Sequence, residues 1–288
     1  MKQKCLFSYF CNIHTLIMKS TFILLGFLLC SITSVAQQVF KNDELTVSKL
    51  KDKIWVVETS DKTTMYIVEG DKRAMLIDTG TKCTALDEIV RKITSKPLDV
   101  VITHLHPDHA GNIHYFDSIY LHPADTVMMG EYHYKGKINY VAEGQVFDLG
   151  GTEIEVAWMP GHTPGSIVLL NRATGDCFSG DAFGSGQVWL QLEPHVPMTD
   201  YLQSCRRMRQ LMEQDGIRYI WCGHYPYVKT YYDLGYICKM ETLAQRLAAG
   251  DTEGTKPFRM PPSTHALGHS VYLSDGPVMI VYNADKIN

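Results

Sequence analysis

Residues 104–109 read His104-Leu105-His106-Pro107-Asp108-His109, so four side chains able to bind a metal fall within six positions. At this composition, the spacing H-x-H-x-D-H arises by chance in a chain of this length only on the order of once in a thousand. Imidazole nitrogen and carboxylate oxygen form the ligand set that suits zinc and neighbouring first-row metals. A solvated histidine-rich loop is the alternative, and the low chance frequency argues against it.

The position of this cluster in the chain also indicates a functional site. The preceding run, 98–103, is apolar and β-branched, which is typical of a buried strand, and sites in α/β sheets lie at the carboxyl ends of strands. Three further polar residues share this setting, each just past an apolar run: His162, Asp181 and His224. A lone Asp after Gly is more often a turn residue or a helix cap. Together, however, the three residues and the cluster indicate one shared site.

Short strands alternate with helices along most of the chain. Strand patterns lie at 54–59, 65–69, 74–77, 98–103, 152–158, 166–171, 176–179 and 217–222, helical patterns at 86–93, 200–213 and 231–249, and a final hairpin joins 271–273 to 278–282 across Asp275-Gly276. Two strand-rich halves, each ending in helices, predict a layered α/β sandwich. We find no internal repeat and no linker rich in Pro, Gly or Ser, so we expect residues 37–288 to form one domain.

The first 36 residues have the pattern of a secretory leader. Met18 is a plausible true start, and a lysine, an apolar run at 22–29 and small residues at 34–36 follow in the order of such a signal. Eight apolar residues are too few to span a bilayer. The leucine before Cys30 argues against lipid anchoring there. We therefore predict a secreted or periplasmic protein without stable membrane insertion.

The charge of the chain gives no indication of a polyanionic partner. The sequence holds 27 Lys and Arg against 31 Asp and Glu. The leader carries three of the lysines and no acid, so its removal leaves 24 basic residues against 31 acidic ones, a formal charge of −7. This balance argues against nucleic acid or an anionic membrane as a partner.

The cysteines indicate packing rather than cross-links. Five lie beyond residue 36, an odd number, and none forms a C-x-x-C pair. This pattern predicts neither a disulfide framework nor a structural zinc knuckle. We interpret each as a small apolar residue of the core.

The motifs and their order over residues 50–285 resemble the metallo-β-lactamase fold superfamily, in its glyoxalase II-like branch. The resemblance implies a four-layer αββα sandwich with two metals at the edge of the sheets. The first metal would be held by His104, His106 and His162, the second by Asp108, His109 and His224, with Asp181 shared by both. Asp78, in the turn before the first helix, would help to orient these ligands.

Hydrolysis at a carbonyl is the reaction that this arrangement implies. Two cations that share a water lower its pKa from 15.7 towards about 7 and so supply hydroxide at neutral pH. A metal-bridging hydroxide would attack an ester, lactone or thioester of a small-molecule substrate. Asp108 is the expected catalytic residue, which orients the hydroxide or carries its proton to the leaving group. Two Zn²⁺ are the expected cofactors, and iron or manganese suits the same ligands.

Other activities within the family remain alternatives. Zinc β-lactamases generally have Cys or Ser where Asp181 stands, and one group adds a substrate-binding lysine that 182–187 lacks, which argues against efficient β-lactam hydrolysis. Flavodiiron proteins have Glu where His106 stands and an added flavodoxin domain for which this chain has no room. A secreted location disfavours glutathione thioesters. A persulfide dioxygenase shares the ligand pattern, and a non-catalytic metal-binding sensor would keep the fold without turnover; the complete ligand set argues against the sensor.

Substrate specificity is expected to depend on residues outside the metal motifs. The segment 126–146 resembles a loop that covers the pocket, with a surface hairpin making core contacts as the alternative. Gly184-Ser185-Gly186 and Trp189 fit a gate. Tyr225 or Tyr227 would donate to an oxyanion or simply pack. The remaining histidines match no ligand motif and are interpreted as structural or solvated: His114, His122, His133, His195, His265 and His269.

Overall fold

The fold is given by a computed structural model that describes residues 37–259 and 269–288. The predicted leader, the candidate anchor Cys30 and His265 lie outside the described residues. The cleavage site, the assignment of 37–288 to one domain and the export of the protein therefore stay predictions.

The first sheet has eight strands that follow one another in chain order. Their bounds are β1 Gln37–Lys41, β2 Leu45–Lys51, β3 Ile54–Thr59, β4 Thr64–Glu69, β5 Ala74–Ile77, β6 Leu98–Val101, β7 Ser118–Leu121 and β8 Lys137–Tyr140. Strands β2 to β5 pair antiparallel, and β5 to β8 pair parallel. Helices α1 (Leu86–Ile93) and α2 (Pro107–Ala110) and the 3₁₀ segments Ile113–Tyr115 and Pro123–Glu131 make the crossovers that the parallel strands require.

The second sheet has five strands, in the order β14-β12-β11-β10-β9. They are β9 Val146–Asp148, β10 Glu153–Trp158, β11 Ile167–Asn171, β12 Asp176–Gly180 and β14 Tyr219–Cys222. A smaller sheet joins β13 Gln187–Trp189, β15 Lys256–Pro257, β16 Ser270–Asp275 and β17 Val278–Asn283. The helices of this half are α3 Met198–Gln214, α4 Tyr225–Val228 and α5 Leu234–Ala248.

Side-chain alternation along the strands produces the layers. On β4, Met65 and Ile67 belong to the same buried cluster as Leu86 of α1, whereas Tyr66 and Val68 share a cluster with Phe178 of the second sheet. Successive strand residues point to opposite faces, so the first sheet is buried on both sides. Helix α1 covers one face and the second sheet covers the other.

The second sheet is covered in the same way. Phe178 of β12 faces the first sheet, and its neighbour Cys177 belongs to the cluster that holds Met208 of α3 and Met240 of α5. The order of layers is therefore helix, sheet, sheet, helix. This confirms the predicted four-layer αββα sandwich.

Two predicted element boundaries change for local reasons. The last long helix begins at Leu234 rather than near 231 because the Asp233 side chain caps it by accepting from the amide of Tyr236. In the final hairpin, Asp275 pairs with Val278, so the two-residue turn is Gly276-Pro277 and not Asp275-Gly276.

The segment 126–146 makes core contacts, which was one of the two alternatives predicted for it. Residues Lys137–Tyr140 of this segment add strand β8 to the first sheet. Four side chains pack against the cluster between that sheet and α1: Met128, Met129, Tyr132 and Tyr134. The Tyr132 hydroxyl also donates to the carbonyl of Leu105, between two predicted ligands. Through Tyr132, the segment therefore contacts the loop that carries His104 and His106.

The prediction that the cysteines are core residues is confirmed for four of the five described cysteines. Four of the five described cysteines are buried and all are free thiols: Cys83, Cys177, Cys205 and Cys222, with Cys238 partly exposed. Over residues 37–259 and 269–288, we find no helix whose length and apolarity would carry it across a bilayer.

Candidate metal centre

The seven predicted ligands meet at one edge of the two sheets. His104 and His106 follow β6, and Asp108 and His109 lie on the short helix α2 that comes next. The other three lie in the loops after β10, β12 and β14: His162, Asp181 and His224. Because these strands end at the same edge, positions that span 120 residues of sequence become neighbours.

The first group consists of three histidines. One ring nitrogen from each of His104, His106 and His162 lies within 4.8 Å of the others. The closest pair is His106 Nδ1 and His162 Nε2, 2.9 Å apart. Burial lowers the pKa of all three imidazoles, that of His106 to about 3. All three are therefore neutral at pH 7, the form in which an imidazole nitrogen can bind a cation.

The second group mixes imidazoles with carboxylates. Ligand atoms of Asp108, His109, Asp181 and His224 all lie within 4.8 Å of one another. His224 Nε2 is 3.2 Å from Asp181 Oδ2 and 3.5 Å from Asp108 Oδ2. Burial alone would lower the pKa of both histidines, but the two carboxylates raise it to about 10 for His109 and about 11 for His224. The site therefore attracts positive charge.

The two groups adjoin, and Asp181 faces both. The rings of His104 and His109 have centroids 4.2 Å apart. Asp181 Oδ2 lies 3.9 Å from His162 Nε2 of the first group, in addition to its contact with His224. This is the position that the resemblance implies for a carboxylate shared by two cations.

Backbone carbonyls fix the direction of two ligands. His162 Nδ1 donates to the carbonyl of Trp189 at 2.7 Å, and His224 Nδ1 donates to the carbonyl of Lys62 at 3.2 Å. A carbonyl only accepts, so each ring carries a proton on Nδ1 and turns Nε2 towards the centre. No sequence pattern identifies these two residues, because any residue type supplies a carbonyl.

Asp78 orients the ligands on the side of β6, as the resemblance implies. Its Oδ1 accepts from the amide of Thr103 at 2.6 Å, and its Oδ2 accepts from the Thr103 hydroxyl and from His109 Nδ1, both at 2.8 Å. Because the Thr103 hydroxyl donates its one proton to Asp78, it accepts a hydrogen bond from His104 Nδ1. Nε2 of both His104 and His109 is thereby turned towards the centre, where it can bind a cation once it carries no proton.

Three buried atoms of the site test whether a cation fits. Within residues 37–259 and 269–288, His104 Nε2, His109 Nε2 and Asp181 Oδ1 are buried and have no hydrogen-bond partner. Buried polar atoms are nearly always partnered, and an unpaired one costs about 1–3 kcal/mol. All three are good ligand atoms for a divalent cation, and each belongs to one of the two groups. The residues therefore fit bound metal.

The residues suggested to gate or polarise the pocket differ in character. Tyr225 packs against the core between the sheets, whereas Tyr227 is 60% exposed with its ring 6.1 Å from that of His224. Gly184 has a φ of +65°, and a Cβ there would fall 1.8 Å from the carbonyl oxygen of Gln187. This turn therefore requires glycine, which makes it a tight turn instead of an open hinge. Trp189 contributes its carbonyl to His162.

The histidines outside the ligand motifs belong to neither group. His122 stacks on Trp158 and accepts from the amide of Ala124. His195 Nε2 contacts the carbonyl of Lys286. His114, His133 and His269 are likewise absent from both groups. Their interpretation as structural or solvated residues agrees with these contacts.

Comparison with known proteins identifies the class. A family profile described as the metallo-beta-lactamase superfamily matches residues 59–224, which include all seven ligands. The metallo-beta-lactamase from Pontibacter korlensis superposes with a TM-score of 0.56 at 20% identity, over 70% of this chain and 99% of that one. This chain belongs to the metallo-β-lactamase superfamily.

Two relatives carry the names of hydrolytic enzymes. The acyl-coenzyme A thioesterase MBLAC2 of Gallus gallus is 25% identical over 208 residues, which cover 58% of this chain and 74% of the relative. A hydroxyacylglutathione hydrolase of Francisella philomiragia is 29% identical over 135 residues, 46% of this chain and 53% of the relative. Family and relatives together support a hydrolase that acts on a small molecule.

Proposed function

We propose that the protein is a hydrolase that holds two divalent cations, zinc in the first instance, and cleaves a thioester, ester or lactone. The thioester stands first because the relative MBLAC2 is named an acyl-coenzyme A thioesterase. The single observation that carries the proposal is the convergence of seven ligand side chains, three of which present a buried atom with no hydrogen-bond partner among the described residues. No ordinary packing requirement places three neutral imidazoles beside an acidic group in this way.

The chemistry divides between the cations and the side chains. Bound divalent cations lower the pKa of a shared water and polarise the carbonyl of the substrate. The side chain of Asp108 is 38% exposed, more than those of His224 (20%) and Asp181 (14%), so it borders the space that a substrate enters. Burial opposes the ionisation of this carboxyl, but His109 and His224 hold its pKa below the usual range. Asp108 is thus ionised at neutral pH and able to accept a proton.

Hydrolysis of a thioester at this site would begin with the attack of water on the carbonyl carbon. The oxygen of water bonds to the carbonyl carbon, its proton passes to Asp108, and the C–S bond of a thioester breaks. Asp108 then returns the proton to the leaving sulfur, which departs as a thiol beside a carboxylic acid. The hydrogen bonds from His162 to Trp189 and from His224 to Lys62 keep the ligands in place throughout.

Metal analysis combined with a substrate panel tests the proposal. We expect the purified protein to bind about two equivalents of zinc and to hydrolyse an acyl thioester, with loss of activity in a chelator and recovery on adding zinc. The panel includes an ester, a lactone, a β-lactam, a phosphodiester and a persulfide with oxygen monitoring. His106→Ala should lose one equivalent and the activity. His114→Ala, an exposed histidine outside both groups, should lose neither.

Three results would contradict the proposal. Turnover of only the phosphodiester or only the β-lactam would refute the assigned bond type. Oxygen consumption with the persulfide would indicate a dioxygenase. Two tightly bound metals without turnover of any substrate would indicate a metal-binding sensor.

We also propose that the protein is exported and that residues 1–36 are removed as its leader. The support is the order of basic, apolar and small residues in that segment. Mass determination of the N-terminus of protein recovered from the cell envelope or the medium tests this, with Gln37 expected as the first residue. A mature chain that still begins at Met1 or Met18 would refute the cleavage.

A further inference from the structure

Asp125 is a buried carboxylate that contacts the loops carrying the first ligand group. It belongs to the 3₁₀ segment Pro123–Glu131 and is only 1% exposed. Its Oδ2 accepts from the amide of Leu105 and from the Thr163 hydroxyl, both at 2.9 Å, and its Oδ1 accepts from the amide of Gly165 at 2.5 Å. Three donors thus converge on one carboxylate.

The partners of Asp125 are the sequence neighbours of the three histidines. Leu105 lies between His104 and His106, and Thr163 directly follows His162. Asp125 therefore ties the loop after β6 to the loop after β10, which together supply the whole first group. These two loops must hold a fixed separation for His106 Nδ1 and His162 Nε2 to lie 2.9 Å apart.

The backbone of Gly165 packs closely against Asp125. A Cβ on Gly165 would lie 2.5 Å from Asp125 Oδ1 and 2.7 Å from the amide nitrogen of the same residue. Glycine is thus required for the backbone amide to approach the carboxylate. The Thr163 hydroxyl also contacts the Ser166 hydroxyl at 2.9 Å, which fixes its direction.

Asp125 has no oppositely charged partner in the part of the chain that the structure describes. Over residues 37–259 and 269–288, no lysine, arginine or histidine forms a salt bridge with it, and its stabilising contacts are the three hydrogen bonds. A cation bound by the first group would supply the missing positive charge, and Asp125 would favour that cation across the Leu105 and Thr163 hydrogen bonds.

We propose that Asp125 is the positioning residue of the first ligand group, setting the distance between the His104–His106 segment and His162 without touching the cation. This inference rests on the proposed function, in that it takes the three histidines to be metal ligands. Asp125 differs from Asp78, which contacts His109 directly and reaches His104 through the Thr103 hydroxyl.

Metal affinity tests this role directly. In Asp125→Asn the amide group keeps the shape, but its NH2 replaces one acceptor oxygen and so faces either the Gly165 amide or the Leu105 amide and Thr163 hydroxyl, which already donate. We expect the affinity for one of two zinc equivalents to fall about 10–100-fold, the size typical of residues that support ligands, measured by competition with a chromophoric chelator. The d–d spectrum of the cobalt(II)-loaded protein should change as well. Thr163→Val, which removes one hydrogen bond, should give a smaller loss in the same direction.

Asp176→Asn is the matched control. Asp176 is equally buried and accepts from Trp221 Nε1 at 2.7 Å and Lys51 Nζ at 2.6 Å, but it begins β12, and Asp181 follows the other end of that strand. We expect it to lower the melting temperature with zinc affinity and cobalt spectrum unchanged. If Asp125→Asn behaves like this control, or if it fails to fold and Thr163→Val leaves affinity and spectrum unchanged, the positioning role is wrong. A wild-type protein that binds no metal would instead refute the proposed function.

Discussion

Asp78 Oδ2 accepts a hydrogen bond from His109 Nδ1 at 2.8 Å, across 31 residues of sequence. Asp78 directly follows β5 and has a φ of +62°, and His109 lies on α2, which follows the neighbouring strand β6. The contact fixes the protonated nitrogen of the ring and turns Nε2 towards the candidate centre. The orientation of a ligand thus depends on a neighbouring strand rather than on the metal motif itself.

Replacing Asp78 with asparagine should weaken metal binding while the backbone is preserved. Asparagine tolerates a positive φ, so the change acts on the charge and the hydrogen bonds. We expect zinc affinity at the second group to fall about 10–100-fold, as is usual when a residue that orients a metal-bound histidine is lost. Titration against a chelator measures the change. An unaltered affinity would show that His109 is oriented without Asp78.

Replacing Asp108 with asparagine should separate catalysis from metal binding at the first group. The amide has no carboxylate to accept a proton, so kcat should fall about 10²–10⁴-fold, the range of general acid–base catalysis. The cation held by His104, His106 and His162 should remain, as metal analysis would show. Asp117→Asn, at an exposed position outside both groups, serves as control. Full activity of Asp108→Asn would rule out the proton transfer assigned to this residue.

Gly223→Ala should damage the centre although glycine carries no functional group. A Cβ at this position would lie 2.4 Å from Asp181 Oδ1 and 2.5 Å from His109 Cε1. Both are ligands, so we expect loss of at least one equivalent of metal and of the activity, together with a lower melting temperature. Gly130→Ala is the matched control because a Cβ there meets nothing within 4 Å. Normal metal content in Gly223→Ala would mean that the ligands relax freely.

Zinc affinity should increase with pH. In the metal-free protein, the neighbouring carboxylates raise the pKa of His109 to about 10 and that of His224 to about 11, so both rings are protonated at pH 7. A cation needs their lone pairs, and its binding must release protons. Below pH 10 the affinity should therefore rise about tenfold per pH unit for each proton released. Competition titrations between pH 6 and 9, with calorimetry in two buffers, measure this slope, and a flat profile would contradict it.

The local patterns in the sequence predicted a layered α/β sandwich and the candidate ligands, whereas the αββα order of layers and the division of the ligands into two groups were implied by the resemblance to the superfamily. The spacing from His104 to His109 and the apolar run before it identify a strand end with ligand side chains, because both depend only on neighbouring residues. His162, Asp181 and His224 were recognisable because each follows a buried strand. The structure then brought all seven side chains together, as the two ligand groups show.

The residues that support the ligands could not be found in this way. The carbonyls of Trp189 and Lys62 belong to the backbone, and every residue type has one. Asp125 follows a strand and lies in a polar stretch, where an aspartate is usually a surface or capping residue. Its burial beneath two loops follows from the packing of 123–131 onto them, which no local spacing encodes.

Sequence by itself determined which side chains are able to bind metal and the order of strands that carries them, since ligand chemistry and strand periodicity are properties of single residues and their near neighbours. The tertiary structure alone decided which nitrogen each histidine presents, which carboxylates are buried, and how far apart the two ligand groups lie. These depend on distances between segments remote in the chain, and only the packing of the two sheets sets those distances.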